Sequence, residues 1–480
     1  MKVHFIGICG VAMSALAIAF HKKGWQVTGS DAGFFPPIST HLENNQIDFY
    51  PGWHPEKMYA NGNPDLVVVG NVASSTNPEW VYVQKNKLNY KSYPEVIAEY
   101  FIKENSIVCA GTYGKTTNTA LLSWIFKKNN LNPAYMFGGL AQNTMDSASM
   151  GNSKCLPCPS GRRMNSVQKA KQWSILEGDE YKSSRWDLKA KFTHYSPTHL
   201  LLTAIIWDHA DIYPTEQSYF DVFDKLMQLM PKTGLIVACA DNQKITEIIK
   251  SAHCQVITYG KNKNTDYIYS QIQSTKNGVS FVISNKGNKH KIKSQILGGY
   301  QAANITGCFA MAHQAGIDTQ KIITAIKSFK GIKRRLEKRL ENNITIFDDI
   351  AHSPAKAQSV LETLRDIYTR KIIAVFEPNA GNRRSVSFPG YDNAFAKADT
   401  VIIPFLTKIK IDKNDPEIPA DGKQLAEIIS KTHKNTVFIE DDKELIKYIV
   451  KNVKKDDCVV FLGSRGFRSM ISQLVSKLSL

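Results

Sequence analysis

Between Val108 and Asn118 the chain carries two glycines, a lysine and a run of hydroxyls, set between an apolar stretch and a segment with helical spacing. Ile107 to Ala110 reads as a strand, Gly111, Thr112 and Gly114 as a turn, and Thr119 onward as a helix. A strand, glycine turn and helix in that order aim backbone N–H groups and the positive helix end at one point, which suits a phosphate. Lys115 adds a positive charge there, and Thr116 and Thr117 add hydroxyls, the first suited to Mg²⁺. The general phosphate-loop pattern is incomplete, because Cys109 stands where its first glycine belongs. Further on come the acids Glu177, Asp179 and Glu180, then Asp208 and His209. Taken singly, Glu177 reads first as a solvated loop acid and His209 as a helix N-terminal residue. Thr116, Glu177 and His209 each end or follow a strand of one α/β domain, however, and the carboxyl ends of such strands converge on one crevice. In that order after a phosphate loop they read as Mg²⁺ ligands.

The elements that position these groups form a βαβ series. Val3 to Gly7, Trp25 to Asp31 and Asp65 to Gly70 read as strands, with a helix from Ala12 to Lys23. This pattern predicts a doubly wound parallel sheet. Its first turn holds Gly7, Gly10 and Ser14 in a degenerate dinucleotide fingerprint, with Asp31 placed as a ribose-binding acid would be. Beyond Lys330 four apolar runs read as buried parallel strands: Ile344 to Asp349, Lys371 to Phe376, Asp399 to Ile403 and Cys458 to Gly463. The expected organisation is three α/β domains, at 1–103, 104–329 and 330–480. Gly151 to Lys171 reads as a long loop, and its Cys155 and Cys158 as two free thiols.

The composition restricts the function classes. The chain has 480 residues, too many for one ordinary core, with 43% apolar and 21% charged residues, as in a soluble globular protein. No apolar stretch is long enough to span a bilayer and the N-terminus enters a strand directly, so the expected location is the cytoplasm. Eight scattered cysteines are no disulfide framework. The net charge of +17 is spread along the chain without a nucleic-acid-binding signature, and suits small polyanions such as ATP.

With these motifs in hand, the sequence resembles the Mur ligase family, ATP-dependent enzymes that join amino acids or peptides to UDP-N-acetylmuramate or its derivatives. The likeness runs over nearly the whole chain. Gly111 to Thr117 looks like the family's phosphate loop, Glu177 to Tyr181 its acidic metal motif, and Asp208-His209 the pair that supplies a magnesium ligand. Arg334-Arg335 and Asp348 to Pro354 are similar to the motifs that open the third domain. The resemblance implies that Arg335 reaches the ATP phosphates, Asp349 holds the ribose and Asn304 lines the ATP site. It also implies that the first domain grips UDP, through Gly7, Gly10, Ser14 and Asp31, rather than NAD. Tyr113, Ile206, Tyr300, Gln301 and Ser353 depart from the family pattern.

The implied activity is an ADP-forming amide ligation at the lactyl carboxylate of UDP-N-acetylmuramate, with ATP and Mg²⁺, through an acyl phosphate. Lys115, Thr116, Glu177, His209 and Arg335 form its expected catalytic set. The expected acceptor is L-Ala-γ-D-Glu-meso-diaminopimelate, with L-alanine the alternative; Arg383, Arg384, Arg465 and Arg468 are candidates for gripping it, and His352 for deprotonating its amine. Neither nucleic acid nor membrane is an expected partner, and a monomer or weak homo-oligomer is the expected state. A dehydrogenase would explain Gly7 to Asp31 but not the Lys115 constellation. A folate polyglutamate ligase needs no UDP-binding domain, and an ATP-binding pseudoenzyme remains a further alternative.

Overall fold

The computed structural model describes residues 1–36, 38–143, 145–151, 171–207, 212–213, 215–407 and 417–479. Asp208, His209, Cys155 and Cys158 therefore lie outside the described residues. The chain divides into two compact units. The first comprises Met1–Ile272, Ser280–Ser294 and Tyr300–Lys330; the second comprises Gln273–Val279, Gln295–Gly299 and Gly331–Leu480.

The first unit opens with a five-stranded parallel sheet, ordered Asp48–Pro51, Gln26–Asp31, Lys2–Ile6, Leu66–Val69, Tyr90–Ser92. The strand order reverses between Lys2–Ile6 and Leu66–Val69, and a crevice opens at the carboxyl ends of strands flanking such a switch point. The helix Val11–Lys22 starts at that end, and its run from Met13 to Phe20 is buried.

The same unit holds a ten-stranded sheet, with Asn105–Ala110 between His199–Leu202 and Trp173–Gly178. All three strands pair in parallel and are almost wholly buried, which explains their continuous apolar runs. The register sets Glu177 beside Cys109 and Leu202 beside Ala110, so both neighbours end next to the turn that begins at Gly111. The apolar run Leu200 to Trp207 yields a strand only as far as Leu202. Just beyond it the Thr203 N–H still donates to the Ala110 carbonyl at 3.1 Å, and its hydroxyl donates to the Tyr113 carbonyl at 2.5 Å, which ties this segment to the phosphate turn.

In the second unit six strands run in the order Glu337–Glu341, Thr345–Asp349, Cys458–Gly463, Ile372–Glu377, Thr400–Pro404, Thr436–Ile439. All neighbours are parallel except the first pair. Alternate residues feed two apolar layers. Phe347, Phe376 and Leu462 pack with Leu361 and Leu425 on one face, and Ile346, Val375 and Phe461 with Leu445 and Leu474 on the other. Covering a parallel sheet on both faces is what keeps its four central strands dry. Among the described residues no helix is long and apolar enough to cross a membrane.

Candidate active site

The turn after Asn105–Ala110 depends on two glycines. Gly111 has φ +133°, and a Cβ there would lie 2.4 Å from Thr203 Oγ1 and 2.7 Å from the Ala204 carbonyl. Gly114 has φ +85°, and its Cβ would lie 2.7 Å from Asn304 Oδ1. The left-handed Gly114 starts the helix Lys115–Lys128, four residues before the helix expected from Thr119. Thr112 stitches the turn to the neighbouring strand's exit. Its N–H donates to the Ala204 carbonyl at 2.6 Å, and its hydroxyl accepts from the Ile206 N–H at 2.9 Å.

Lys115 is buried, and its ammonium lies 2.8 Å from Glu180 Oε2 and 2.8 Å from the Gly111 carbonyl. Burial acts to lower its pKa, but the carboxylates of Glu180, Asp179 and Glu177 outweigh that and raise it, so the ammonium stays charged. The sequence motif contains Glu180, yet its role as the lysine's partner was not anticipated. Thr117 is also buried, and Asn304 accepts from Asn118 Nδ2 at 3.1 Å, which holds it against the turn.

Thr116 and Glu177 do come together. The hydroxyl donates to Glu177 Oε1 at 2.6 Å, and Glu177 Oε2 accepts from the Gly138 N–H at 2.6 Å. Burial and the neighbouring Asp179 push the Glu177 pKa up, partly offset by those two hydrogen bonds and by Lys115. A dication beside such a carboxylate favours its charged form. Oxygens on adjacent corners of an Mg²⁺ octahedron stand about 2.9 Å apart, so this pair fits two ligand positions. Glu177→Ala should raise the Mg²⁺ concentration needed for nucleotide-analogue binding about tenfold, read by titration calorimetry. An unchanged Mg²⁺ titration would move the metal elsewhere.

The other expected site residues are held less simply. Asp31 accepts the Cys9 N–H at 2.9 Å and the Ala32 N–H at 2.7 Å, and so braces the Gly7 to Gly10 turn. The Ser14 hydroxyl is buried and donates to the Val11 carbonyl at 3.0 Å. Beside this turn, at the switch point, lies a cavity of about 130 Å³ lined by Met13, Gly70, Asn71, Tyr93, Ser183 and Lys191 among others. Asn71, Ser183 and Lys191 were not singled out from the sequence.

In the second unit Arg334 and Arg335 face different ways. Arg334 pairs with Asp348 at 3.1 Å and donates to the carbonyls of Gly463, Ser464 and Arg465 at 2.6, 3.0 and 2.8 Å. Arg335 is exposed. Asp349 is buried, both oxygens accepting backbone N–H groups, from Leu336 at 2.7 Å and Ala351 at 2.8 Å, and burial raises its pKa to about 6. His352 Nδ1 lies 2.7 Å from the Ile350 carbonyl, so Nδ1 carries the proton and Nε2 is the basic nitrogen. Arg383 is buried and donates to the carbonyls of Ala420 and Thr407 at 2.8 and 3.1 Å, a structural anchor, whereas Arg384 is half-buried and Arg465 exposed.

Comparison with known proteins completes the picture. Models described as Mur ligase family catalytic domain, Mur ligase middle domain, and Mur ligase glutamate ligase domain match residues 2–104, 109–312 and 334–465. The chain belongs to the Mur ligase family. It has that family's three-domain α/β architecture and is an ATP-dependent, ADP-forming ligase. It is 28% identical to the UDP-N-acetylmuramate–L-alanyl-γ-D-glutamyl-meso-2,6-diaminoheptandioate ligase of Haemophilus influenzae, over 100% of this chain and 99% of the relative. It is 29% identical to the UDP-N-acetylmuramate–L-alanine ligase of Clostridium tetani, over 96% and 95%. The solved UDP-N-acetylmuramate-alanine ligase of Thermotoga maritima shares the fold, at TM-score 0.77 and 21% identity over 100% of this chain and 99% of that one.

Proposed function

We propose that this Mur ligase joins the lactyl carboxylate of UDP-N-acetylmuramate to the amine of L-Ala-γ-D-Glu-meso-diaminopimelate. The observation that carries the reaction type is the grouping of Lys115, Thr116, Glu177 and Glu180 on one glycine turn. Lys115 can leave Glu180 for a phosphoryl oxygen, because its ammonium is already aimed across the turn and remains charged. Backbone amides from Tyr113 to Thr117 hold the remaining phosphate oxygens. Thr116 and Glu177, with His209, would hold Mg²⁺, which would supply positive charge against the repulsion between phosphate and carboxylate. Arg335, exposed on the second unit, contributes further positive charge to the transferring group. The carboxylate attacks the γ-phosphorus, ADP leaves, and the acceptor amine then displaces phosphate from the acyl carbon. His352 Nε2 is the base proposed to take the amine proton.

The relatives' names support both a tripeptide and an L-alanine acceptor at nearly equal identity. In sequence, Gly7 to Gly10, Gly29 to Asp31 with Pro36 to Thr40, and Asp187 to Tyr195 resemble the tripeptide-adding branch of the family, which favours the tripeptide. One assay decides between them: full-length protein, ATP, Mg²⁺ and UDP-N-acetylmuramate, offered each acceptor separately, with product masses read. A UDP-muramyl tripeptide is the expected product. Turnover with L-alanine alone would reverse the choice, and nucleotide binding without ADP release with either would indicate a pseudoenzyme.

A further inference from the structure

We propose that Lys191 is the docking cation for the reacting carboxylate of the sugar-nucleotide donor, a reading that rests on the function proposed above. Lys191 opens the short turn Lys191–His194, whose backbone is pinned by bonds from the Lys191 N–H to the Tyr181 carbonyl (3.0 Å) and from the Phe192 N–H to the Asp179 carbonyl (3.3 Å). Its ammonium lies 3.0 Å from Asp179 Oδ2, 5.3 Å above the Tyr93 ring and 5.8 Å from the Tyr181 ring. It is also the charged residue among those lining the switch-point cavity.

Lys191 thus faces two ways. On one side is the cavity, where the topology of the first sheet places a ligand. On the other is Asp179, whose charge acts on both Lys115 and Glu177 at the phosphate turn. A donor seated in the cavity must extend its carboxylate toward that turn to meet a phosphoryl group. Glu177, Asp179 and Glu180 concentrate negative charge around that turn, and Lys115 is already paired with Glu180. Lys191 supplies the missing compensation. An ammonium has three N–H donors, so it can hold Asp179 and the incoming carboxylate together. Packing over two aromatic rings limits its freedom and lowers the cost of ordering it.

Calorimetric binding to the full-length protein tests this with two probes that share the uridine diphosphate and the N-acetylated sugar. UDP-N-acetylmuramate carries the carboxylate and UDP-N-acetylglucosamine lacks it. Lys191→Met should weaken the first about 10- to 100-fold, as for loss of a charge-assisted hydrogen bond, and change the second less than about twofold. Lys191→Arg should retain most of the discrimination. Asp179→Asn should tighten the first probe alone, a gain that misfolding cannot mimic. Equal losses for both probes would assign Lys191 to the diphosphate or to the fold, and no loss for either would remove it from the site; both results overturn the proposal. If the unaltered protein binds no UDP-N-acetylmuramate, the proposed function fails and takes this inference with it. If it binds and turns over the donor while Lys191→Met discriminates as before, the Lys191 assignment alone fails.

Discussion

Lys115→Ala should reduce ADP release by about 10² or more while leaving UDP-N-acetylmuramate binding nearly intact. The ammonium is the positive side chain of the phosphate turn, and no backbone amide can replace its charge on a transferring phosphoryl group. The substitution also removes the partner of Glu180, whose side chain is 1% exposed. An unpaired buried carboxylate destabilises by about 3–5 kcal/mol, or takes up a proton instead. A lost rate could therefore reflect a damaged fold, and a second variant separates the two effects. Lys115→Ala combined with Glu180→Gln removes the orphan charge, so its melting temperature should return toward that of the unaltered protein while turnover stays absent. If the double variant recovers activity together with stability, Lys115 is a structural ion pair and the phosphoryl-transfer site is elsewhere.

How much of this was readable from residues alone follows from the kind of information each feature carries. Gly111, Gly114, Lys115 and Thr116 were legible because a phosphate turn is local, its amides, charge and hydroxyl all lying within one short stretch. The buried parallel strands were legible as continuous apolar runs. Choices between near neighbours were not. Within Glu177 to Glu180, strand register decides which acid meets Thr116 and which meets Lys115, and register comes from pairing with Asn105–Ala110. Arg334 and Arg335 are equivalent as sequence, but positive φ at Arg334 and Leu336 (58° and 46°) turns one guanidinium onto carbonyls and leaves the other exposed. The same limit applies to Asp31 and Asp349. Both were expected at riboses, yet each has its two oxygens engaged by backbone N–H groups, and no spacing rule reveals such a brace. Lys191 lies within the stretch Asp187 to Tyr195, but its place at the cavity is not legible there, because the walls come from segments more than 100 residues apart.

The acceptor pocket gives the second large effect. A tripeptide ending in diaminopimelate brings several carboxylates, and arginine is the side chain best shaped to hold them in pairs. Two loops of the second unit carry arginines, after Ile372–Glu377 and after Cys458–Gly463; both leave the carboxyl ends of adjacent parallel strands, where ligands of such sheets sit. Arg383 is engaged by the Ala420 and Thr407 carbonyls, and Arg468 by a two-pronged contact with Asp442 at 2.9 and 2.8 Å. The backbone beside Arg465 is costly to form, since Phe467, Arg468 and Ser469 hold φ of 51°, 46° and 68° in succession. Left-handed residues of this kind cost about 1–2 kcal/mol each and persist where a loop is held in a required shape. Part of that hold is visible in Arg334, which grips the carbonyls from Gly463 to Arg465. Arg465 is exposed on this braced loop and Arg384 is half-buried, and these two are the arginines proposed to meet a peptide carboxylate. Changing either to Ala should raise the tripeptide KM about 10- to 100-fold while sparing the KM values of ATP and UDP-N-acetylmuramate. Arg383→Ala should instead lower the melting temperature, because it leaves buried carbonyls unpaired. A tripeptide KM unchanged in both the Arg384 and the Arg465 variants would place the acceptor away from these loops.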